Sequence, residues 1–134
     1  MSSDRFPVEL APGINLQRVI VDFQWQVYDP ERRLTLDPNF WALSLAGEAG
    51  EVANWHKKHW RDRAEGRGEE FSPSLDELRS ELGDVMICLA LLAEAHGIDL
   101  TEATLDKLRE IDRRIAQGRQ GVGRKGTANS SGRR

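Results

Sequence analysis

The sequence is poor in the features on which several common ways of building a site or a fold depend. Its 134 residues contain a single cysteine, Cys88, so no disulfide can close within the chain. Cys88 lies inside an apolar run and has no histidine beside it, which marks it as a buried structural thiol rather than a nucleophile. Long apolar runs are also missing. The longest, Val85 to Ala93, spans nine residues, whereas a membrane-crossing helix needs about 17 to 25. Met1 to Gly13 has neither a basic start nor an apolar signal core, so the expected location is the cytoplasm. There is no Gly-rich phosphate loop, no zinc-type Cys/His spacing and no Ser in an elbow motif, and no segment alternates in the manner of strands. The net charge of -3 gives no overall attraction to nucleic acid, and no specific nucleic-acid partner is expected.

What the sequence does contain is helical periodicity, and one domain of all-α class follows from it. Residues 1–13 form an irregular N-terminal arm with Pro7, Pro12 and Gly13, and residues 14–117 form the domain. Ile14, Val19, Ile20, Phe23 and Val27 share a stripe on a first helix ending near Tyr28. Asp37 before Pro38 has the form of an N-cap with proline at the first helical position, predicting a second helix from Pro38 to about Trp60. Ser74 with Glu77 reads as a capping box opening a third helix, which should end near His96-Gly97. A fourth should run from Leu100 to about Ala116, with residues 118–134 as a disordered basic tail free of acids. Because Val85 to Ala93 is apolar on all sides of its helix, neighbours must surround it, either in a four-helix bundle or across a dimer interface.

Four acids distinguish this chain from an ordinary helical bundle. Glu48 and Glu51 on the second helix, and Glu81 and Asp84 on the third, are each three residues apart and so share a helix face. None of the positions three or four residues away from any of them holds a cation. Two such pairs facing each other at about 4 Å would repel by several kcal/mol at an effective dielectric near 20. Hard divalent ions relieve that repulsion, and an all-oxygen donor set suits Mg²⁺ or Mn²⁺, commonly held together with substrate phosphates.

The surroundings support the same chemistry. Ala46, Gly47, Ala49, Gly50 and Ala53 leave the acids either a tight packing stripe or room for ions and a triphosphate, although a glycine within a helix costs about 1 kcal/mol against alanine. Lys57, Lys58 and Arg61 could meet phosphate oxygens. Phe40, Trp41, Trp55 and Trp60 offer rings that fill the core or stack on a base, Trp41 and Trp55 being the candidates for base contact. His56, His59 and His96 lack the Glu-x-x-His pairing of a ferritin-like di-iron site.

The phrases Leu43-Ser44-Leu45-Ala46-Gly47-Glu48-Ala49-Gly50-Glu51-Val52, Lys57-Lys58, Glu81-Leu82-Gly83-Asp84-Val85, Gly97-Ile98-Asp99-Leu100 and Lys107-Leu108 resemble a MazG-like nucleotide pyrophosphohydrolase of the all-α NTP pyrophosphatase superfamily. The resemblance implies an all-α subunit forming a homodimer or dimer of dimers, with Glu48, Glu51, Glu81 and Asp84 binding Mg²⁺. It also implies hydrolysis of a nucleoside triphosphate, usually deoxy or non-standard, to the monophosphate and pyrophosphate, with Lys58, Lys107 and Arg113 or Arg114 contacting phosphates. The chain departs from the pattern in three places. Gly47 stands where some relatives carry a further glutamate, the span Val52 to Ser80 is long, and Arg109, Glu110 and Asp112 occupy the region where many relatives have an asparagine. Glu51 or Glu48 is then the expected base. The alternatives are a non-catalytic helical dimerisation or adaptor module, and a related phosphohydrolase acting on another nucleotide conjugate such as phosphoribosyl-ATP.

Overall fold

The computed structural model describes residue 13 and residues 15–68 and 72–125, with side chains as far as Arg119. The arm at 1–12, Ile14, residues 69–71 of the Gly-rich loop and the tail at 126–134 lie outside the described residues. Every regular element among the described residues is helical: α1 (Leu16–Phe23), α2 (Pro38–Ala64), α3 (Leu75–Ala95) and α4 (Leu100–Lys125). The chain divides after Asp99 into two units, the first holding α1 to α3 and the second α4.

In α1, Asn15 caps the N-terminus by accepting from the Gln17 N–H at 2.8 Å. The helix then widens into a π-helical turn, Gln24–Tyr28, closed by the Asp29 N–H on the Gln24 carbonyl at 2.7 Å. Widening by one residue per turn rotates the face, and Gln24 is carried into the interior at 5% exposure.

The connection to α2 is organised by one buried carboxylate. Asp29 accepts from the Thr35 N–H and hydroxyl, both at 2.8 Å, from the Leu34 N–H at 2.9 Å and from the Arg33 N–H at 3.1 Å. Thr35 is fully buried beneath it. Arg32 adopts a left-handed φ of 58°, a conformation that costs a non-glycine residue of order 1 kcal/mol. Its guanidinium lies 3.8 Å over the Trp25 ring, a cation–π contact that offsets that cost.

Asp37 caps α2 as expected, accepting from the Asn39 and Phe40 N–H groups at 3.0 and 3.3 Å, with Pro38 behind it. This helix runs four residues past Trp60, to Ala64. Its stop is Gly66 at φ 67°, with Asp62 held at the end by Arg61 and Arg67 at 3.5 and 3.7 Å. The capping box of α3 is complete: Glu77 N–H to Ser74 Oγ is 3.2 Å and Ser74 N–H to Glu77 Oε2 is 3.0 Å. At the other end Gly97, φ 66°, makes a Schellman turn, with Ile98 N–H on the Ala93 carbonyl at 2.9 Å and Gly97 N–H on Glu94 at 3.0 Å.

The core joins α1, α2 and α3 through Val21, Trp41, Cys88 and Leu91, with Ile20, Trp25, Leu34, Leu45 and Leu92 packed around them. Leu91 and Val21 are fully buried, each contributing about 1.5–3 kcal/mol by removal from water. Cys88 is buried and free. The cover expected around Val85 to Ala93 is incomplete, since Met86 and Ile87 remain about two-fifths exposed.

In the second unit, α4 continues nine residues beyond Ala116, so the basic segment expected to be disordered from 118 is helical as far as Lys125. Its glycines weaken the helix without stopping it, because no proline intervenes and Arg and Lys are good helix formers that suit a helix C-terminus. Lys107 pairs with Glu110 at 2.8 Å, Arg109 with Asp106 at 2.9 Å and Arg114 with Glu110.

Burial alone would raise the pKa of Asp29, but hydrogen bonds from Thr35, Leu34 and Arg33 outweigh it and hold the carboxyl below its ordinary value. A depressed carboxyl stabilises the fold fully above the ordinary carboxylate pKa of about 4, and the contribution is lost as pH falls through the lower folded value. Asp29→Ala should therefore lower the melting temperature by several degrees at pH 7. The gap from wild type should close progressively below about pH 4, in thermal melts followed by circular dichroism.

Candidate functional site

The acids sit in the middle of the two longest helices of the first unit, which pack against each other. Glu48 from α2 and Glu81 and Asp84 from α3 place carboxylate oxygens within 4.8 Å of one another. Glu48 and Glu81 are half-buried and Asp84 is exposed. Among the described residues, no Lys, Arg or His forms an ion pair with these three or with Glu51. Glu51, one turn along α2, is exposed and stands outside this cluster. Of the four expected metal ligands, the fold therefore brings three into one cluster and leaves Glu51 at its edge, lining the same cleft as Glu81.

Glu51 is still near enough to be felt. Burial raises the pKa of the Glu81 carboxyl, and the charges of Glu51, Asp84, Glu48 and Glu77 push it further the same way. Cys88 behind the cluster responds likewise, its thiol raised by burial and by the charges of Glu48 and Asp84. The donor set fits a hard divalent ion, being all oxygen, close-set and lacking a local counter-charge. Glu48, Glu81 and Asp84 would hold it.

On the Glu51 side opens a polar cleft of about 510 Å³. Along α2 its wall is Glu51, Asn54, Trp55 and Lys58; opposite are Glu77 and Glu81, with Ser72, Pro73 and Ser74 closing the end. Lys58 thus lines the same cleft as Glu51, Glu77 and Glu81 and has no ion-pair partner among the described residues. Asn54 was not anticipated, although its position three residues after Glu51 and four before Lys58 already put it on their face. Ser72 and Pro73 come from the loop before α3 and carry no sequence signal for this role.

Trp55 and Trp41, the two candidates for base contact, lie in different places. Trp55 lines the polar cleft, but its indole N–H donates to the Ser74 carbonyl at 2.9 Å and its ring stacks on His59 at 5.0 Å with His56 edge-on. It is a wall, 8% exposed. Trp41 belongs to the core beside Cys88. Lys107 and Arg113 lie on α4, in the second unit, where Glu110 already holds Lys107.

A Cβ added at Gly47, Gly50 or Gly83 would meet nothing within 4 Å. The chain's own packing therefore does not need these glycines, since open space and not a tight contact lies over each of them.

Among known sequences, residues 38–116 match the family described as "MazG nucleotide pyrophosphohydrolase domain". That span holds all four acids, Lys58, Lys107 and Arg113. The chain is also similar to the Gene 37 protein of Mycobacterium phage L5, at 39% identity over 80 residues, covering 57% of this chain and 68% of that protein.

An acid whose pKa is raised costs the fold stability once ionised. That cost should appear as pH rises through the raised pKa and ease as pH falls back toward the ordinary value. Glu81→Gln should accordingly raise the melting temperature of the metal-free protein at pH 7. It should also weaken the stabilisation produced by millimolar Mn²⁺ or Mg²⁺ by about 10- to 100-fold in apparent affinity, read by thermal shift across a metal titration.

Proposed function

Starting from the fact that this chain belongs to the MazG nucleotide pyrophosphohydrolase domain family, we propose that it hydrolyses a nucleoside triphosphate, deoxy or non-standard, to the monophosphate and pyrophosphate with the help of Mg²⁺. The observation that carries this reading is the convergence of Glu48, Glu81 and Asp84 without a cation, beside a polar cleft that contains Lys58. Mn²⁺ is a possible substitute ion. A bound divalent ion supplies charge neutralisation for the phosphates and lowers the pKa of water.

The residues of the chain divide the remaining work. Glu48, Glu81 and Asp84 would hold the ion. Glu51 borders that cluster on the cleft side, which suits a carboxylate that orients and deprotonates the attacking water. This assignment also accounts for Gly47: the base lies one turn further along α2, so an additional acid at that position is not required. Attack at the α-phosphorus breaks the bond to the bridging oxygen, and the pyrophosphate departs with the electron pair. Lys58 faces the leaving group in the polar cleft, where an ammonium offsets the charge that develops. Asn54, between Glu51 and Lys58, donates its amide N–H to a phosphate or ribose oxygen. The subunit acts as a homodimer or dimer of dimers, consistent with the apolar side chains that stay exposed on α1 and α3.

Glu51→Gln should lower kcat for Mg²⁺-dependent pyrophosphate release by about 10² to 10⁴-fold with little change in metal-induced thermal shift, the range expected for loss of a general base. Asp84→Asn should lose both activity and metal response. Lys58→Ala should raise KM and lower kcat together. Full activity in both acid variants would remove the basis for the mechanism.

A further inference from the structure

The pairing of α2 with α3 keeps one register along its length, and the acids stand at its centre. Trp41 of α2 and Cys88 of α3 belong to one core cluster, Glu48 converges with Glu81, and the Trp55 indole N–H donates to the Ser74 carbonyl at 2.9 Å. Each step of seven residues forward on α2 is matched by a step of seven back on α3. The two helices are therefore antiparallel, and Glu48 and Glu81 lie two turns, about 10 Å, from a contact on either side.

Those two contacts differ in kind. At the Trp41 end the helices are held by apolar packing, which is non-directional and tolerates small slides along the axis. At the Trp55 end they are held by a hydrogen bond, which weakens steeply away from its geometry and so fixes position. Trp55 has little freedom to leave that bond, because it is 8% exposed, its ring stacks on His59 at 5.0 Å and His56 meets it edge-on at 4.9 Å. The acceptor is equally constrained. Ser74 is the N-cap of α3, with its hydroxyl and N–H engaged by Glu77, and its carbonyl also accepts from the Leu78 N–H at 3.3 Å. Moving Ser74 therefore moves the first turn of α3, and with it Glu81, one turn beyond Glu77. Without an ion the acids repel one another, and packing at the Trp41 end alone would let the other end slip.

Resting on the hydrolase reading above, we propose that Trp55 is a positioning residue for the divalent ion: its indole N–H on the Ser74 carbonyl holds α3 in the register that brings Glu81 and Asp84 to Glu48, and so sets the affinity of the three carboxylates. It acts through Ser74 and not by contact with the ion. The coupling is reciprocal, so a bound ion strengthens the tie by the factor with which the tie strengthens ion binding.

The test measures Mn²⁺ affinity by calorimetry on nucleotide-free wild type, Trp55→Phe and Asp37→Ala. Trp55→Phe keeps an aromatic ring and removes the N–H, whereas Asp37→Ala removes the N-cap of α2, about five turns from Trp55, and lowers the melting temperature without touching the tie. Trp55→Phe should weaken Mn²⁺ binding about fivefold, the worth of one hydrogen bond, and Asp37→Ala should stay within about twofold of wild type. Pyrophosphate release by Trp55→Phe should fall at limiting Mg²⁺, and the loss should shrink as Mg²⁺ is raised. In wild type, saturating Mg²⁺ should slow hydrogen exchange at the Trp55 indole N–H about fivefold beyond any slowing at the buried Trp41 indole, which reports opening of the core. That measurement needs no variant and decides the question where Trp55→Phe fails to fold. Unchanged Mn²⁺ affinity in Trp55→Phe, an equal loss in Asp37→Ala, or no selective slowing at Trp55 would overturn the inference and leave the hydrolase reading intact. If wild type hydrolyses no triphosphate while Trp55→Phe still weakens Mn²⁺ binding, the hydrolase reading fails and the positioning of the ion stands. A wild-type protein that binds neither Mn²⁺ nor Mg²⁺ would remove both.

Discussion

Holding Glu48, Glu81 and Asp84 within 4.8 Å of one another, with no cation of the described chain to balance them, is the constraint on which the rest of the structure depends. Like charges at that spacing push apart, so the helices that carry them must be fixed by contacts elsewhere. The core supplies part of that restraint through Trp41 on α2 and Cys88 and Leu91 on α3. A more specific part comes from Ser74. Its hydroxyl and backbone N–H form the capping box of α3, while its carbonyl accepts from the Trp55 indole on α2 at 2.9 Å. One residue thus starts α3 and ties that start to α2, close to Glu51 and Glu81.

The tie bears on which acids converge. Glu48 and Glu51 share a face of α2 but are offset by about one turn, near 5 Å along the axis. A neighbouring helix with a set register can bring its own pair against one of the two more readily than against both. In this register Glu48 joins Glu81 and Asp84 in the cluster, while Glu51 lines the polar cleft with Glu81 and its charge acts on Glu81 more strongly than that of Glu48. The two spacings of three residues, identical in sequence, therefore end in different environments, three acids in a cluster and Glu51 at its edge on the cleft side. This difference is what allows ion-holding and proton-accepting roles to be assigned to chemically similar groups.

Much of this was legible from the residues alone, and what was legible was local. The starts of α2 and α3 are set by Asp37 before Pro38 and by Ser74 with Glu77, all within one turn, and both appear as read. Helix ends were harder to place. The termination of α2 depends on Gly66 and on the Asp62–Arg67 pair beyond Trp60, and α4 passes Gly118 because isolated glycines lower helix stability without breaking a helix. The π-helical turn has no local signature in the sequence. The four acids could be singled out because the absence of cations three and four residues away is itself a sequence pattern, and Lys58 because it lies seven residues after Glu51 on the same helix face. The separation of Glu51 from the others, and the arrival of Ser72 and Pro73 in the cleft, depend on how α2 and the following loop pack, which spacing along one helix does not encode.

The open space beside Gly47, Gly50 and Gly83 connects the site to this architecture. Glycine within a helix is a standing cost of about 1 kcal/mol against alanine, and nothing in the packing of the described chain returns it. Two of the three flank Glu48 and the third lies between Glu81 and Asp84, so the cost is concentrated where the acids converge. At 3.6 residues per turn Gly50 and Gly83 lie about 130° round their helices from the acid pairs, so the open space over them belongs to other faces of α2 and α3. Caps, core and the Ser74 tie hold the backbone firmly enough for α2 and α3 to tolerate these glycines.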